Sequence, residues 1–362
     1  MPELNQDQIW MLRAIELAQQ GQYSTRPNPN VGCVIVKDGQ VIGEGFHPQA
    51  GQPHAEVFAL RQAGESARGA TAYVTLEPCA HYGRTPPCAK GLVAAGVTRV
   101  VVACPDPNPL VAGKGVNILR DAGIDVDVGI CQEQAHALNF GFLKAMATSM
   151  PYVRVKIASS LDGRTAMASG ESKWITGSQA RQDVQHWRAI SGAVITGIDT
   201  VLADDCQLNV RQLDVFTDIE KIVQPKRVVL DRQGRLPLTA KILQDPTTLM
   251  VMGPFRQELA DLGVLQLPVQ PLKELLQQLV QQHQIYDVLV EAGATLSTAF
   301  LQEHLVDELI SYVAPTLLGQ TARSMFNAAF SQMAEQLRFK LHDVTQFGDD
   351  VRFRLIPSQE TL

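Results

Sequence analysis

The chain has 362 residues, 45% of them apolar, and a formal net charge of −6 at pH 7. That length exceeds one typical core and predicts two domains. Residues 1–149 (11 basic, 13 acidic) and the remainder (20 basic, 24 acidic) share the acidic balance, which argues against a nucleic-acid-binding surface.

The first 20 residues lack the basic start and apolar block of a secretory signal. No apolar run is long enough to cross a bilayer, so a cytoplasmic enzyme without a membrane partner is expected. Six cysteines in so long a chain do not form a dense disulfide framework and are expected as thiols or metal ligands.

Residues 7–20 predict an amphipathic helix, with Ile9, Leu12, Ile15 and Leu17 on one broad face. A turn-rich stretch, Arg26-Pro27-Asn28-Pro29-Asn30, follows. Strands are expected over 31–37 and 40–45, joined by an Asp38-Gly39 hairpin turn. Helices are expected over 55–63 and 88–95, and strands over 72–76 and 97–103. This alternation predicts an α/β layered domain. A helix over 139–148 precedes a boundary near Ser149-Met150-Pro151. Beyond it, strands are expected over 152–158, 193–197, 227–230, 249–252 and 286–291, with a surface helix over 275–284.

His54-Ala55-Glu56 opens a predicted helix, and Pro78-Cys79 ends a predicted strand. Cys88 lies beyond an eight-residue loop. Imidazole and thiolate are the preferred protein ligands of zinc, and three of them leave a fourth tetrahedral position for water. Zinc lowers the pKa of that water to about 7, which makes hydroxide available near neutral pH. Glu56, two residues from His54, can carry protons without ligating the metal, as in the zinc deaminases. Those enzymes usually place two residues between their cysteines, so the loop 80–87 is a departure. Singly, each of the three ligands reads more readily as core; together they point to a catalytic zinc. Cys33, Cys104, Cys131 and Cys206 lack such partners and are expected to be structural.

The stretch Thr75-Leu76-Glu77-Pro78-Cys79-Ala80-His81-Tyr82-Gly83-Arg84-Thr85-Pro86-Pro87-Cys88 closely resembles the deaminase domain of the bifunctional riboflavin-biosynthesis deaminase/reductases. The long loop is normal for that family. Pro27-Asn28-Pro29-Asn30-Val31-Gly32 is similar to its substrate loop, which makes Asn28 and His81 candidate substrate contacts. Turn capping by Asn28 and solvent exposure of His81 are the competing readings.

The second half carries weaker signals. A strand running into Glu291-Ala292-Gly293 and then a helix suits a phosphate, because the helix N-terminus offers free N–H groups. It equally suits a plain strand-to-helix turn. The segments 160–164 and 197–211 place acids, a Thr and arginines after strands, where α/β sheets bind ligands. Surface-loop acids are the alternative. These segments, with Ser172-Lys173-Trp174-Ile175-Thr176 and the Gly293 turn, resemble the reductase domain of the same family. The resemblance covers nearly the whole chain.

It implies residues 1–149 as a cytidine-deaminase-like three-layer α/β/α domain. Residues 150–362 would be an NADPH-dependent domain similar to dihydrofolate reductase. Ala158, Trp174, Thr200, Asp204 and Gly293 would contact NADPH. Ser172, Arg188, Leu208, Arg211 and Glu291 would hold the substrate, the arginines suiting its phosphate. Lys156 could assist at the sugar carbon, with core packing as the equal alternative. The implied reactions are hydrolytic deamination of a diaminopyrimidinone ribosylamine phosphate and reduction of its ribosyl group to ribityl. The expected partner is that small phosphorylated pyrimidine, with a homo-oligomer (dimer or tetramer) expected by analogy. A nucleic-acid deaminase would need a basic channel. A purely structural zinc would need a fourth protein ligand. A deaminase fused to a binding domain would leave NADPH unoxidised.

Overall fold

A computed structural model describes residues 4–80, 87–109, 111–213 and 219–358. The chain divides into two compact units, Met1–Ser149 and Met150–Leu362.

The first unit begins with helix α1 (Gln6–Gln19), whose start is set by Asn5. The Asn5 side chain accepts from the Gln8 backbone and the Gln8 side chain from that of Asn5, a reciprocal cap that satisfies two otherwise orphaned N–H groups. Strands β1 (Gly32–Lys37) and β2 (Gln40–Phe46) form the expected hairpin. Asp38 and Gly39 both adopt positive φ, 51° and 73°, as a tight two-residue turn requires. Then come α2 (Ala55–Ala63), β3 (Thr71–Leu76), α3 (Cys88–Ala95), β4 (Arg99–Cys104), α4 (Lys114–Asp121), β5 (Asp125–Val128), α5 (Gln132–Ala137) and α6 (Phe140–Thr148). The sheet order is β2-β1-β3-β4-β5, with β3, β4 and β5 parallel.

Alternation along the strands builds two cores. Cys33, Ile35, Ala72, Val74, Val100 and Val102 pack with Ala55, Ala59, Ala89, Leu92 and Leu119 of α2, α3 and α4. Val34, Val36, Tyr73, Val101 and Ala103 pack with α1, α5 and α6 through Met11, Ala14, Ala135 and Leu143. The result is three layers, α/β/α. Glycine permits the closest approach of α1 to the sheet: a Cβ on Gly32 would lie 1.9 Å from the Ala14 carbonyl oxygen.

The second unit carries a nine-stranded sheet. Its strands are β6 (Tyr152–Ser160), β8 (Ala193–Gly197), β9 (Lys226–Leu230), β10 (Leu249–Met252), β11 (Leu265–Leu267), β12 (Asp287–Glu291), β13 (Glu308–Ala314), β15 (Phe339–Phe347) and β16 (Asp350–Pro357). The two-residue β14 (Arg323–Ser324) pairs with the three-residue β7 (Arg164–Ala166) outside it. The order is β11-β10-β9-β8-β12-β6-β13-β16-β15, parallel up to β13 and antiparallel for the last two strands. Helices α7 (Ser178–Ile190) and α8 (Ile198–Asp204) pack on one core; α10 (Leu272–His283) and α11 (Ala294–Gln302) pack on another. The short α9 (Gln257–Asp261) precedes β11. Among the described residues no helix is long and apolar enough to cross a membrane.

Differences from the sequence expectations are local. The strand expected from Val97 begins at Arg99, because Val97 completes the turn after α3. The helix expected over 275–284 starts earlier, at Leu272 behind Pro271. Strands β5, β7, β11 and β13 to β16 lie outside those expected. In β15 the register slips between Leu341 and Asp343, which breaks the period-two pattern that would have marked it.

Leu119 is fully buried on α4. Leu119→Ala should destabilise the first unit by about 2–5 kcal/mol. Faster hydrogen exchange of the β3 and β4 amides in the intact chain would show it; unchanged exchange would contradict this account of the core.

Candidate functional site

Three chain segments meet beyond the end of β3. His54 occupies the N-cap position of α2 in extended conformation, with its side chain making no cap bond, so the imidazole faces away from its own helix. Cys79 follows β3 by three residues, and Cys88 is the first residue of α3. The Cys88 N–H donates to Cys79 Sγ at 3.2 Å, and the Ala89 N–H donates to the Cys79 carbonyl at 3.3 Å. The helix N-terminus thus turns its free N–H groups toward the thiol, which favours thiolate.

His54 Nδ1 lies 3.7 Å from Cys79 Sγ and 3.3 Å from Cys88 Sγ, and all three ligand atoms fall within 4.8 Å of one another. Zinc–sulfur and zinc–nitrogen bonds at tetrahedral angles give an N···S edge of about 3.6 Å. The two separations bracket that edge, so the trio could hold zinc as it stands. Hydrogen bonding with the Cys88 side chain, and then with His54, holds the Cys79 thiol well below its ordinary range. Cys88 is pushed the opposite way because the two sulfurs share one proton. A bound cation would take that proton's place.

Glu56 is the second residue of α2, within its first turn, and is 3% exposed. Burial pushes its carboxyl pKa up. Its Oε2 is buried with no hydrogen-bond partner among the described residues, which is costly for a carboxyl oxygen. An orphaned acceptor beside three soft ligands is what a metal and its water would satisfy.

His47, at the end of β2, carries no sequence signal, yet its ring lies 5.4 Å from that of His54 in a T-shaped contact. Its Nδ1 is 3.0 Å from the Pro53 carbonyl and its Nε2 is 3.0 Å from Asn28 Nδ2. Burial lowers its pKa, which favours the neutral ring with Nδ1–H donating and Nε2 accepting from Asn28. Asn28 therefore sits one side chain from the ligand cluster, and its backbone N–H also donates to the Thr25 carbonyl. His81 lies outside the described residues. Of the cysteines expected to be structural, Cys33 and Cys104 are buried; Cys131 and Cys206 are half-buried, and all six are free thiols.

In the second unit β12 ends in Glu291, 8% exposed. Arg188 of α7 grips it through Nε at 2.5 Å and Nη2 at 3.0 Å. Lys156 Nζ on β6 approaches the same carboxylate at 3.8 Å. Burial pushes the Glu291 pKa up, but the charge and hydrogen bonds of Arg188, with Lys156 and Arg211, outweigh it and hold the carboxylate ionised. Burial lowers the Lys156 pKa against the pull of Glu291.

This pairing changes the reading of Arg188. Its third nitrogen, Nη1, donates to the Asn209 carbonyl at 3.2 Å, so its guanidinium fork faces Glu291 and is not open to a phosphate. Arg211 is exposed; its charge acts on Glu291, and its backbone N–H donates to Gln185 Oε1 at 3.0 Å. Leu208 is buried at a positive φ of 56°. The Asn209 Oδ1 is buried with no hydrogen-bond partner.

The residues expected at NADPH are spread over several strand ends. Thr200 and Asp204 lie on α8, and Lys173 Nζ donates to the Asp204 carbonyl at 3.3 Å. That contact brings Ser172-Lys173-Trp174 toward α8. Trp174 is 70% exposed, with the Arg181 guanidinium 4.4 Å above its ring. Ser172 is half-buried; Ala158, on β6, pairs with Tyr312. Gly293 is the N-cap of α11, and a Cβ there would meet no protein atom within 4 Å. The backbone is thus open toward any group approaching α11.

Residues 4–104 match the family described as the cytidine and deoxycytidylate deaminase zinc-binding region, and residues 151–353 match the RibD C-terminal domain. Over 365 aligned residues the chain is 50% identical to the riboflavin biosynthesis protein RibD of Haemophilus influenzae, covering 98% of each. It is also 50% identical to that of Escherichia coli, covering 97% of this chain and 99% of the relative. The fold is similar to a solved RibD from Acinetobacter baumannii, with a TM-score of 0.97, 78% identity and 99% of this chain matched to 100% of that one. A deaminase/reductase from Thermotoga maritima aligns at TM-score 0.86 and 33% identity, over 98% of this chain and 99% of its own. With its paired sites and full-length likeness, this chain belongs to the RibD family of bifunctional deaminase/reductases of riboflavin biosynthesis.

Proposed function

We propose that the two units divide the two reactions. Residues 1–149 deaminate 2,5-diamino-6-(5-phosphoribosylamino)pyrimidin-4(3H)-one. Residues 150–362 then reduce the ribosyl side chain of 5-amino-6-(5-phosphoribosylamino)uracil to ribityl. The observation that carries the reading is the buried, unpartnered Glu56 Oε2 beside the His54, Cys79 and Cys88 cluster.

In the deaminase half, His54, Cys79 and Cys88 hold the metal. Zinc, when bound, supplies a coordinated water acidified to near neutral pH. Glu56 takes the proton from the attacking water and passes protons to the ring nitrogen and the leaving ammonia. Its raised pKa suits a group that must both accept and give a proton. Asn28, one side chain from the cluster, orients the pyrimidine, with His81 as a further contact.

In the reductase half, NADPH supplies a hydride to C1′. Ala158, Trp174, Thr200, Asp204 and the Gly293 turn would hold the cofactor, the α11 N-terminus offering free N–H groups suited to phosphate. Ser172, Leu208, Arg211 and Glu291 hold the substrate. Arg211, exposed, takes the ribose phosphate, while Arg188 orients Glu291. Lys156, whose ammonium form is weakened by burial, donates a proton on the sugar side as the hydride arrives. We place the enzyme in the cytoplasm, since Cys79 and Cys88 must stay reduced and NADPH must be supplied. By family analogy we assign a homo-oligomer, a dimer or tetramer.

Glu56→Gln should lower deaminase kcat by about 10²–10⁴-fold while zinc content stays near one per chain. Loss of metal with this substitution would contradict its role as proton carrier. Gly293→Ala keeps an allowed φ of −71° and meets no protein atom. It should raise KM for NADPH on the order of tenfold at unchanged thermal stability; an unaltered KM would remove the α11 cradle. Arg211→Ala should raise KM for the phosphorylated substrate about 10–100-fold and leave KM for NADPH alone. Equal loss with a dephosphorylated substrate would reassign this residue.

A further inference from the structure

Immediately before Pro78-Cys79 stands Glu77, 4% exposed, on the last step out of β3. Its backbone N–H still donates to the Cys104 carbonyl at 2.9 Å, continuing the β3–β4 ladder. Its carboxylate accepts four backbone N–H groups. Oε1 takes Gly115 at 3.0 Å and Val116 at 3.2 Å; Oε2 takes Gly113 at 3.0 Å and Asp106 at 3.4 Å. Helix α4 has no side-chain cap of its own: its N-cap is Gly113, at a φ of +79°. Glu77 therefore caps α4 from another segment, with its negative charge at the positive end of the helix.

A second contact locks the same junction. A Cβ on Gly115 would lie 2.0 Å from the Pro78 carbonyl oxygen, so Pro78 rests directly on the first turn of α4. Cys79 is consequently held on two sides. The α4 N-terminus fixes the residues before it, and the α3 N-terminus binds its sulfur and its carbonyl.

We propose that Glu77 is a positioning residue for the metal: it fastens Pro78-Cys79 to α4 so that Cys79 Sγ stands at ligand distance from His54 and Cys88. This rests on the assignment of His54, Cys79 and Cys88 as the zinc ligands. The chemistry of the clamp demands a carboxylate. Glutamine has the same shape, but its amide offers one acceptor oxygen and one donor NH2. Whichever way it faces, one pair of backbone N–H groups meets a donor. Freed from that pair, the 77–79 segment gains room to move. Loss of such outer-shell support typically costs 10–100-fold in metal affinity.

The test uses the intact chain and measures zinc affinity by competition with a chromophoric chelator. Glu77→Gln should weaken zinc binding about 10–100-fold, with NADPH-dependent reduction unchanged. At saturating zinc, deaminase kcat should fall while KM stays the same. Leu119→Ala, which destabilises α4 without touching the clamp, is the control, compared at temperatures where both variants are equally folded. The clamp is supported if Leu119→Ala keeps wild-type zinc affinity and Glu77→Gln does not. It is overturned if Glu77→Gln binds zinc like the wild type, or if Leu119→Ala loses as much. Should Glu77→Gln not accumulate as folded protein, Gly115→Ala displaces Pro78 with the carboxylate intact and must weaken zinc likewise; wild-type affinity there overturns the clamp. Retention of zinc by Cys79→Ser would overturn the ligand assignment and the clamp together, whereas failure of Glu77→Gln alone leaves the ligand assignment standing.

Discussion

A buried carboxyl oxygen without a partner is expensive, and Glu56 carries one beside two thiols and an imidazole. The charge of His54 and hydrogen bonding with Cys88 oppose the effect of burial on this carboxyl without reversing it, so its pKa stays raised. A cation and its water in the gap would satisfy the free oxygen and the two sulfurs together. The scaffold of the first unit follows from holding this polar gap open inside an apolar core. Three helix N-termini, those of α2, α3 and α4, converge on it or on the segment that supplies Cys79. Each brings free backbone N–H groups and positive potential toward negative charge.

The second unit handles buried charge differently. Glu291, Arg188 and Lys156 form a compact trio at the end of a parallel strand, with the carboxylate gripped at two points. Such a pair is no gain in stability over apolar packing, but it fixes the orientation of a charge where α/β sheets bind their ligands. The grip also takes Arg188 out of direct competition for phosphate. Arg211, on the loop after Leu208, is exposed.

Much of this was legible in the order of residues. The helix over 55–63 and the strand ending before Pro78-Cys79 emerge where periodicity placed them. The Asp38-Gly39 turn forms because only small or polar residues tolerate positive φ at both positions. The edge strand β15 and its neighbour β16 were not among the strands expected. In β15 the slip at Leu341 leaves no clean alternation to read.

By itself the sequence determined the ligand types, their spacing and the strand-to-helix junctions that carry them, because these are local properties of residue type and period. The tertiary structure alone decided which groups meet. Glu291 finds Arg188 across 103 residues, and His47 finds the ring of His54 without any motif. Glu77 finds four backbone N–H groups, which have no side-chain signature at all. Partners that are distant in the chain, or that belong to the backbone, exist only once the layers have packed. The His54, Cys79 and Cys88 cluster was readable in the sequence; the contacts of Glu77 with the start of α4 were not.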